Sequence, residues 1–182
     1  MSTKKDLMKF LNPGYTSGFV AIFPILIGLS ALVTEYQLIF RIIIAVIMLG
    51  LGVMLIWQFF KSQRYLNEQI TQLETSGKLD RVITEFYSGT VMCEGNLRMG
   101  ETYVFGRKSG VCPTYGQITQ IYQYIHKTNG FENYRALKIV TDDKKVHELC
   151  KIRLKGKADA EVQQIVGMIL SKNPSVHVGY NN

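Results

Sequence analysis

Cysteine, histidine, proline and tryptophan are all scarce in this 182-residue chain, with three, three, four and one copies. The three cysteines, Cys93, Cys112 and Cys150, are odd in number and include no C-x-x-C pair. They make no disulfide framework and fit a reducing compartment. The histidines, His126, His147 and His177, lack the H-E-x-x-H spacing of a zinc enzyme. No Asn-x-Ser/Thr acceptor occurs, because Asn173 is followed by Pro174. No glycine loop runs into Gly-Lys-Ser/Thr, so Gly95, Gly100, Gly106 and Gly110 read as hairpin turns and not as a phosphate cradle. Internal repeats and low-complexity tracts are missing too.

Charge is nearly absent before Phe60. Gly18 to Thr34 (GFVAIFPILIGLSALVT) carries none, and Leu38 to Phe60 (LIFRIIIAVIMLGLGVMLIWQFF) carries only Arg41. A bilayer core needs roughly 17–25 apolar helical residues, so both stretches are long enough to span. The pattern predicts an N-terminal transmembrane hairpin over residues 1–60, with spans at about 18–34 and 38–60. Pro24 falls inside the first span, where a neighbouring helix compensates its lost backbone bond. A cleaved signal peptide does not fit: the apolar run starts near Gly18, lacks a small-x-small cleavage site and meets a second span at once.

Basic residues orient the hairpin. Lys4, Lys5 and Lys9 precede the first span and Lys61 and Arg64 follow the second, whereas the turn Glu35-Tyr36-Gln37 has neither Lys nor Arg. Arg41 is the one basic residue near that end, placed to snorkel or to meet Glu35. By the positive-inside rule the chain is a multi-pass cell-membrane protein with both termini in the cytoplasm. Tyr15 and Trp57 then fall near the inner interface and Tyr36 near the outer. Gly28, Ala31, Ala45, Gly50 and Gly52 are small enough to let the two helices pack closely.

From Lys61 onward the chain has 17 Lys+Arg against 12 Asp+Glu, a net charge of +5. Leu66, Ile70 and Leu73 recur at helical spacing, predicting a juxtamembrane helix over 61–77 that continues the second span and stops at Gly77. Residues 78–182 read as an α+β domain. Leu79, Val82, Ile83 and Phe86 share one face of a short helix ending at Ser88-Gly89. Leu97, Met99, Tyr103 and Phe105 alternate in strands, and Gly106 to Gly110 (GRKSG) is a turn. Strands follow at Ile118–Lys127, Tyr134–Val140 and Val146–Leu154, separated by Asn129-Gly130 and Asp142-Asp143-Lys144. A helix over about Ala158–Leu170 carries Val162, Ile165, Val166 and Ile169 as its apolar stripe and ends at Asn173-Pro174. Val176, Val178 and Tyr180 alternate in a last short strand.

The order LRMGETYVFGRKSG, VCPTYGQITQIYQY, YRALKIVTDDKKVHEL, ADAEVQQIVGMIL, over about Asn96 to Leu170, resembles a bacterial pleckstrin-homology-like domain attached to membrane spans. The resemblance implies antiparallel strands closed by a C-terminal helix, and a binding or scaffold module without catalysis. The helix before the strands and the GYNN tail depart from that pattern.

Catalytic chemistry finds little to work with. Three cysteines on separate strands, with or without a histidine, give no local ligand spacing, and buried thiols are the simpler account. His126 and His147 are candidates to face each other across neighbouring strands, but two histidines make half a metal site at most, and exposed or hydrogen-bonded strand residues are the simpler account. Glu94, Glu101, Asp142 and Asp143 sit in turns, where solvated carboxylates are ordinary. Lys151, Arg153, Lys155 and Lys157 alternate with Ile152 and Leu154, which puts four charges on one face of an extended chain. With Arg107 and Lys108 they form a candidate contact for anionic lipid, at about 1 kcal/mol per residue close to the surface. The competing account is an edge strand kept from self-pairing by lysine.

These features together lead us to expect an integral membrane protein presenting a non-catalytic domain at the inner membrane surface. The lipid bilayer and another membrane or cytoplasmic protein are its expected partners; nucleic acid and cofactors are not. Two other classes stand beside it. A small oligomeric pore would need polar residues along the spans, where only Ser30, Gln58 and Arg41 are available. An enzyme on a membrane substrate would need a convergent polar cluster that the sequence does not display.

Overall fold

Contacts divide the chain into Pro13–Glu68 and a second unit built from Met1–Asn12 with Gln69–Asn182. The structure is a computed structural model and describes residues 3–12, 15–33, 38–128, 131–152 and 158–179. The turn at Glu35, Tyr36 and Gln37, the Asn129-Gly130 dipeptide, Arg153, Leu154, Lys155, Lys157 and Tyr180 lie outside the described residues.

The first unit is helical because its residues offer the backbone no other partners. Uncharged side chains leave peptide groups to bond within the helix. Helix α1 (Lys4–Leu11) belongs to the other unit, whereas α2 (Tyr15–Ala31) and most of α3 (Leu38–Thr75) build this one. Helix α3 is long and apolar enough to cross a membrane; α2 runs through Pro24 and contains the shorter apolar stretch Val20–Ala31. At 1.5 Å per residue α3 extends about 57 Å, against about 30 Å for a hydrocarbon core. Its C-terminal turns therefore reach beyond that thickness. Leu66 and Ile70 of the predicted stripe are buried. The helix stops at Gly77 (φ +68), with Lys78 N–H bonded to Leu73 O at 2.9 Å and Gly77 N–H to Glu74 O at 3.0 Å. That double bond pattern is a Schellman cap.

Small residues line the contact between α2 and α3. Ala21, Gly28, Ala31, Ala45 and Gly52 are buried while large apolar neighbours are exposed. A Cβ on Gly28 would lie 3.1 Å from Leu49 Cγ, and one on Gly52 would collide with the Ile25 side chain. Gly50, by contrast, faces open space and is not in this seam. Arg41 Nη1 donates to Leu32 O at 3.4 Å, and Lys61 Nζ lies 5.0 Å from the Trp57 ring centroid.

The second unit is α+β with antiparallel sheets. Helix α4 (Leu79–Ser88) follows the cap, burying Leu79, Val82 and Phe86. Strands β1 (Thr90–Met92), β2 (Leu97–Met99) and β3 (Val104–Gly106) form one antiparallel sheet in the order β1-β2-β3. Strands β4 (Ile118–Thr128), β5 (Phe131–Thr141) and β6 (Val146–Ile152) form a second, completed by β7 (His177–Val178) in the order β6-β5-β4-β7. Helix α5 (Ala158–Lys172) sends Ile165 and Ile169 into the core beside Leu97, Ile121, Leu137 and Leu149. Asn173 ends α5 and ties it down, its Nδ2 donating to Tyr115 O at 2.9 Å and Ile118 O at 3.1 Å.

Three features differ from the sequence expectation. Residues 4–11 form a helix, and β1 precedes the predicted strands. The last strand, β7, pairs in parallel with β4 through Gln120–His177 and Ile121–Val178, because α5 returns the chain in the direction of β4. Strand β6 is described to Ile152, and its expected end at Leu154 lies outside the described residues. It is an edge strand, as the lysine-protected account requires.

Candidate functional site

A short N-terminal helix creates the most distinctive polar surface of the α+β unit. Helix α1 has no side-chain cap at Thr3 and eight residues, too few for stability by itself. It holds because Leu7 and Leu11 are fully buried and Phe10 packs edge-on to Phe86, centroids 5.1 Å apart. Phe86 in turn meets Phe105 at 5.5 Å. The Arg98 guanidinium lies 4.5 Å over Phe86 and donates Nη1–H to Phe86 O at 3.0 Å. The Tyr87 hydroxyl donates to Asp6 Oδ2 at 2.8 Å and Lys4 pairs with Glu74 at 2.6 Å. Hydrogen bonds from Tyr87 and Thr3 hold the Asp6 carboxyl below its usual range.

The basic turn Gly106–Gly110 closes on the end of this helix. Lys108 N–H donates to Phe10 O and Gly110 N–H to Leu11 O, both at 2.9 Å. Carbonyls that a helix C-terminus leaves unpaired are thereby satisfied. Both donors sit at positive φ, Lys108 at 64° and Gly110 at 74°. Arg107 and Lys108 are exposed, as are Lys5 and Lys9 on α1. This unit leaves off at Asn12 and resumes at Gln69. The basic turn is thus bonded to the last residues before the chain enters its apolar segment.

Lys151 lies on β6, exposed, with Nζ 4.6 Å from the Tyr134 ring centroid. Its expected companions Arg153, Lys155 and Lys157 are outside the described residues. The pairing of His126 with His147 does not occur. His126 stacks on Tyr134 at 4.8 Å and pairs with it across β5, whereas His147 pairs with Ile139 on the other side of β5. Five residues of strand separate those two β5 positions, about 17 Å at 3.4 Å each. Burial lowers the His147 pKa. Among the described residues no group of three or more His, Cys, Asp or Glu is placed to hold a metal ion.

Glu85 is the residue that sequence reasoning passed over. It lies on α4 between Val82 and Phe86 and is buried. Its Oε2 accepts Thr102 N–H at 2.7 Å and Tyr103 N–H at 3.1 Å; its Oε1 pairs with Arg81 Nε at 3.0 Å. Burial alone raises the carboxyl pKa, but bonds from the Thr102 backbone and hydroxyl, Arg81 and the Tyr103 backbone outweigh it and lower the net value. The carboxylate closes the β2–β3 hairpin onto α4 through charge-assisted hydrogen bonds. An acid inside an apolar helical stripe was the available clue. Asp143 plays a similar part in its turn, held below the usual range by bonds from Lys145 and Thr141.

The three thiols are all buried. Cys93 Sγ and Cys150 Sγ lie 2.7 Å apart, while burial pushes the Cys112 thiol up to about 12. No protein-family model, no curated protein and no solved structure matches this chain.

Proposed function

We propose that this chain is a membrane-anchored, non-catalytic interaction module, its hairpin crossing the bilayer twice and its α+β domain lying at the cytoplasmic face. The observation that carries the reading is the make-up of the domain. Residues 4–11 and 69–179 pack as one unit, so the intervening chain has to leave one side of a membrane and return to it. If apolar α3 crosses once, a second crossing is required, and α2 is the apolar segment available for it. The seam of small residues between α2 and α3 supports the same reading, because lipid-embedded helices associate by close packing and not by hiding oil from water. Positive flanks orient the domain inward.

In this reading Arg107 and Lys108, with Lys5 and Lys9, meet anionic headgroups near the point of membrane entry. Lys151 with Arg153, Lys155 and Lys157 is a second basic stretch for the same chemistry. Six antiparallel strands followed by α5 support the pleckstrin-homology-like resemblance, with β7 as the departure from it. The reading assigns no reaction and no cofactor.

Reporter fusions in bacterial cells test the topology. A fluorescent protein fused after Asn182 is expected to be bright, and alkaline phosphatase inserted after Tyr36 active. An inactive phosphatase at Tyr36 overturns the hairpin. In reconstituted vesicles, amine acylation of Lys108 and Lys9 is expected to slow severalfold when phosphatidylserine replaces phosphatidylcholine; equal rates overturn the lipid contact.

A further inference from the structure

We infer that Cys93 and Cys150 form an oxidisable dithiol, a modification site at which a peroxide produces an intramolecular disulfide between the two sheets. The sulfurs come from positions 57 residues apart and lie 2.7 Å from each other, closer than two sulfurs in ordinary contact. Both side chains are buried, so the contact belongs to the packed interior of the domain.

Separate elements hold each sulfur in place. Cys93 opens the single 3₁₀ turn between β1 and β2, at φ +51, and Glu94 follows at φ +54. Non-glycine residues rarely adopt this left-handed region, and consecutive ones persist only where the surroundings enforce them. Glu161 on α5 supplies part of that enforcement, its Oε1 accepting the Cys93 backbone N–H at 2.6 Å. Cys150 sits beside a bulge in β6, where the register shifts from Leu137–Cys150 to Lys138–Glu148. A bulge re-aims the side chains next to it. Here it accompanies a thiol directed at the opposite sheet.

The chemistry balances with one peroxide. The hydrogen bond with Cys93, and then burial, push the Cys150 thiol well up, and in the proposal Cys93 is the sulfur that meets the peroxide. The Cys93 sulfur attacks the O–O bond, which breaks; one oxygen stays as the sulfenic acid and the other leaves with the thiol proton as water. The Cys150 sulfur then attacks the Cys93 sulfur. The S–S bond forms, the S–O bond breaks, and hydroxide leaves with the Cys150 proton as a second water. Two thiols give up two electrons, and hydrogen peroxide is reduced to water. In a reducing compartment the pair rests as the dithiol. The disulfide would join the turn between β1 and β2 to edge strand β6.

Cys112 serves as the internal control. The full-length chain in detergent micelles is treated with hydrogen peroxide, denatured, alkylated with N-ethylmaleimide and weighed by mass spectrometry. The expected result is loss of two of the three alkylatable thiols, restored by dithiothreitol, with a cross-linked peptide pair containing Cys93 and Cys150 and lacking two hydrogens. Cys112→Ser is expected to form the same cross-link. Cys150→Ser is expected to leave Cys93 as a sulfenic acid that dimedone traps. Three thiols surviving in the wild type, a link through Cys112, a link between two chains, or oxygen added at Cys93 without a link would each overturn the proposal.

Discussion

The two contact units bury opposite kinds of residue. In the α2–α3 unit Ala21 is fully buried while Phe23, two positions on, is 67% exposed. In the α+β unit Ile165 is fully buried and the charges of α1 and of the basic turn face outward. A protein in water hides its large apolar side chains and does not leave a whole helix pair of them uncovered. Inverted patterning on one chain is what the proposed membrane hairpin requires of one unit and not of the other. Close backbone approach at small residues joins α2 to α3, and core volume holds the α+β unit together.

The comparison sharpens or breaks on five substitutions. Ile165→Ala removes a fully buried side chain from the α+β core and is expected to cost about 2–5 kcal/mol. Phe23→Ala, in the other unit, is expected to leave the denaturation midpoint of the domain within about 0.5 kcal/mol. Urea titration in micelles, followed by near-ultraviolet circular dichroism, separates them; equal losses would break the distinction.

Glu85→Ala leaves the Thr102 and Tyr103 N–H groups without their acceptor, at roughly 1–3 kcal/mol for each group left unsatisfied. This is the next largest effect, and it depends on pH. The folded pKa of Glu85 is lowered. Its stabilisation is therefore present above the unfolded value near 4.3 and lost as the pH falls through the lower folded value. The difference between wild type and Glu85→Ala is expected to be full at pH 6 and to shrink on acidification; a constant difference would remove the carboxylate from the account.

The smallest effect tests the seam. Gly52→Val drives a side chain into Ile25, whereas Gly50→Val meets nothing within 4 Å. Overpacking of this kind costs about 1–3 kcal/mol. Gly52→Val is expected to weaken the α2–α3 pairing, and Gly50→Val to leave it near wild type, read as protection of the hairpin from protease in vesicles. Equal protection would show that close backbone approach does not hold the hairpin.

Much of this was legible along the chain. The limits of α4 and α5 and the runs of β4 and β5 follow from local periodicity, and the Gly77 stop from the demand for positive φ. Helix α1 was not legible, because four of its eight residues are charged and its two core leucines are buried only once α1 packs on α4 and β3. The parallel pairing of β7 was hidden for a related reason. A two-residue strand carries no direction, and the return path of α5 supplies it. Among site residues, the exposure of Arg107 and Lys108 followed from their turn; their attachment to α1 did not. The facing of His126 and His147 failed because register, and not sequence alternation, decides which residues lie opposite each other.

What the sequence by itself determined is which segments are apolar throughout and which alternate apolar with polar residues. Transfer free energy is a property of each side chain and accumulates over neighbours, so charge-free runs and alternating runs declare themselves locally. Only the tertiary structure decided the pairings that carry the inferences: α1 with the basic turn, Glu85 with the hairpin, and Cys93 with Cys150. Each joins residues distant in the chain, and such contacts depend on strand register and loop closure, which no local pattern of residues encodes.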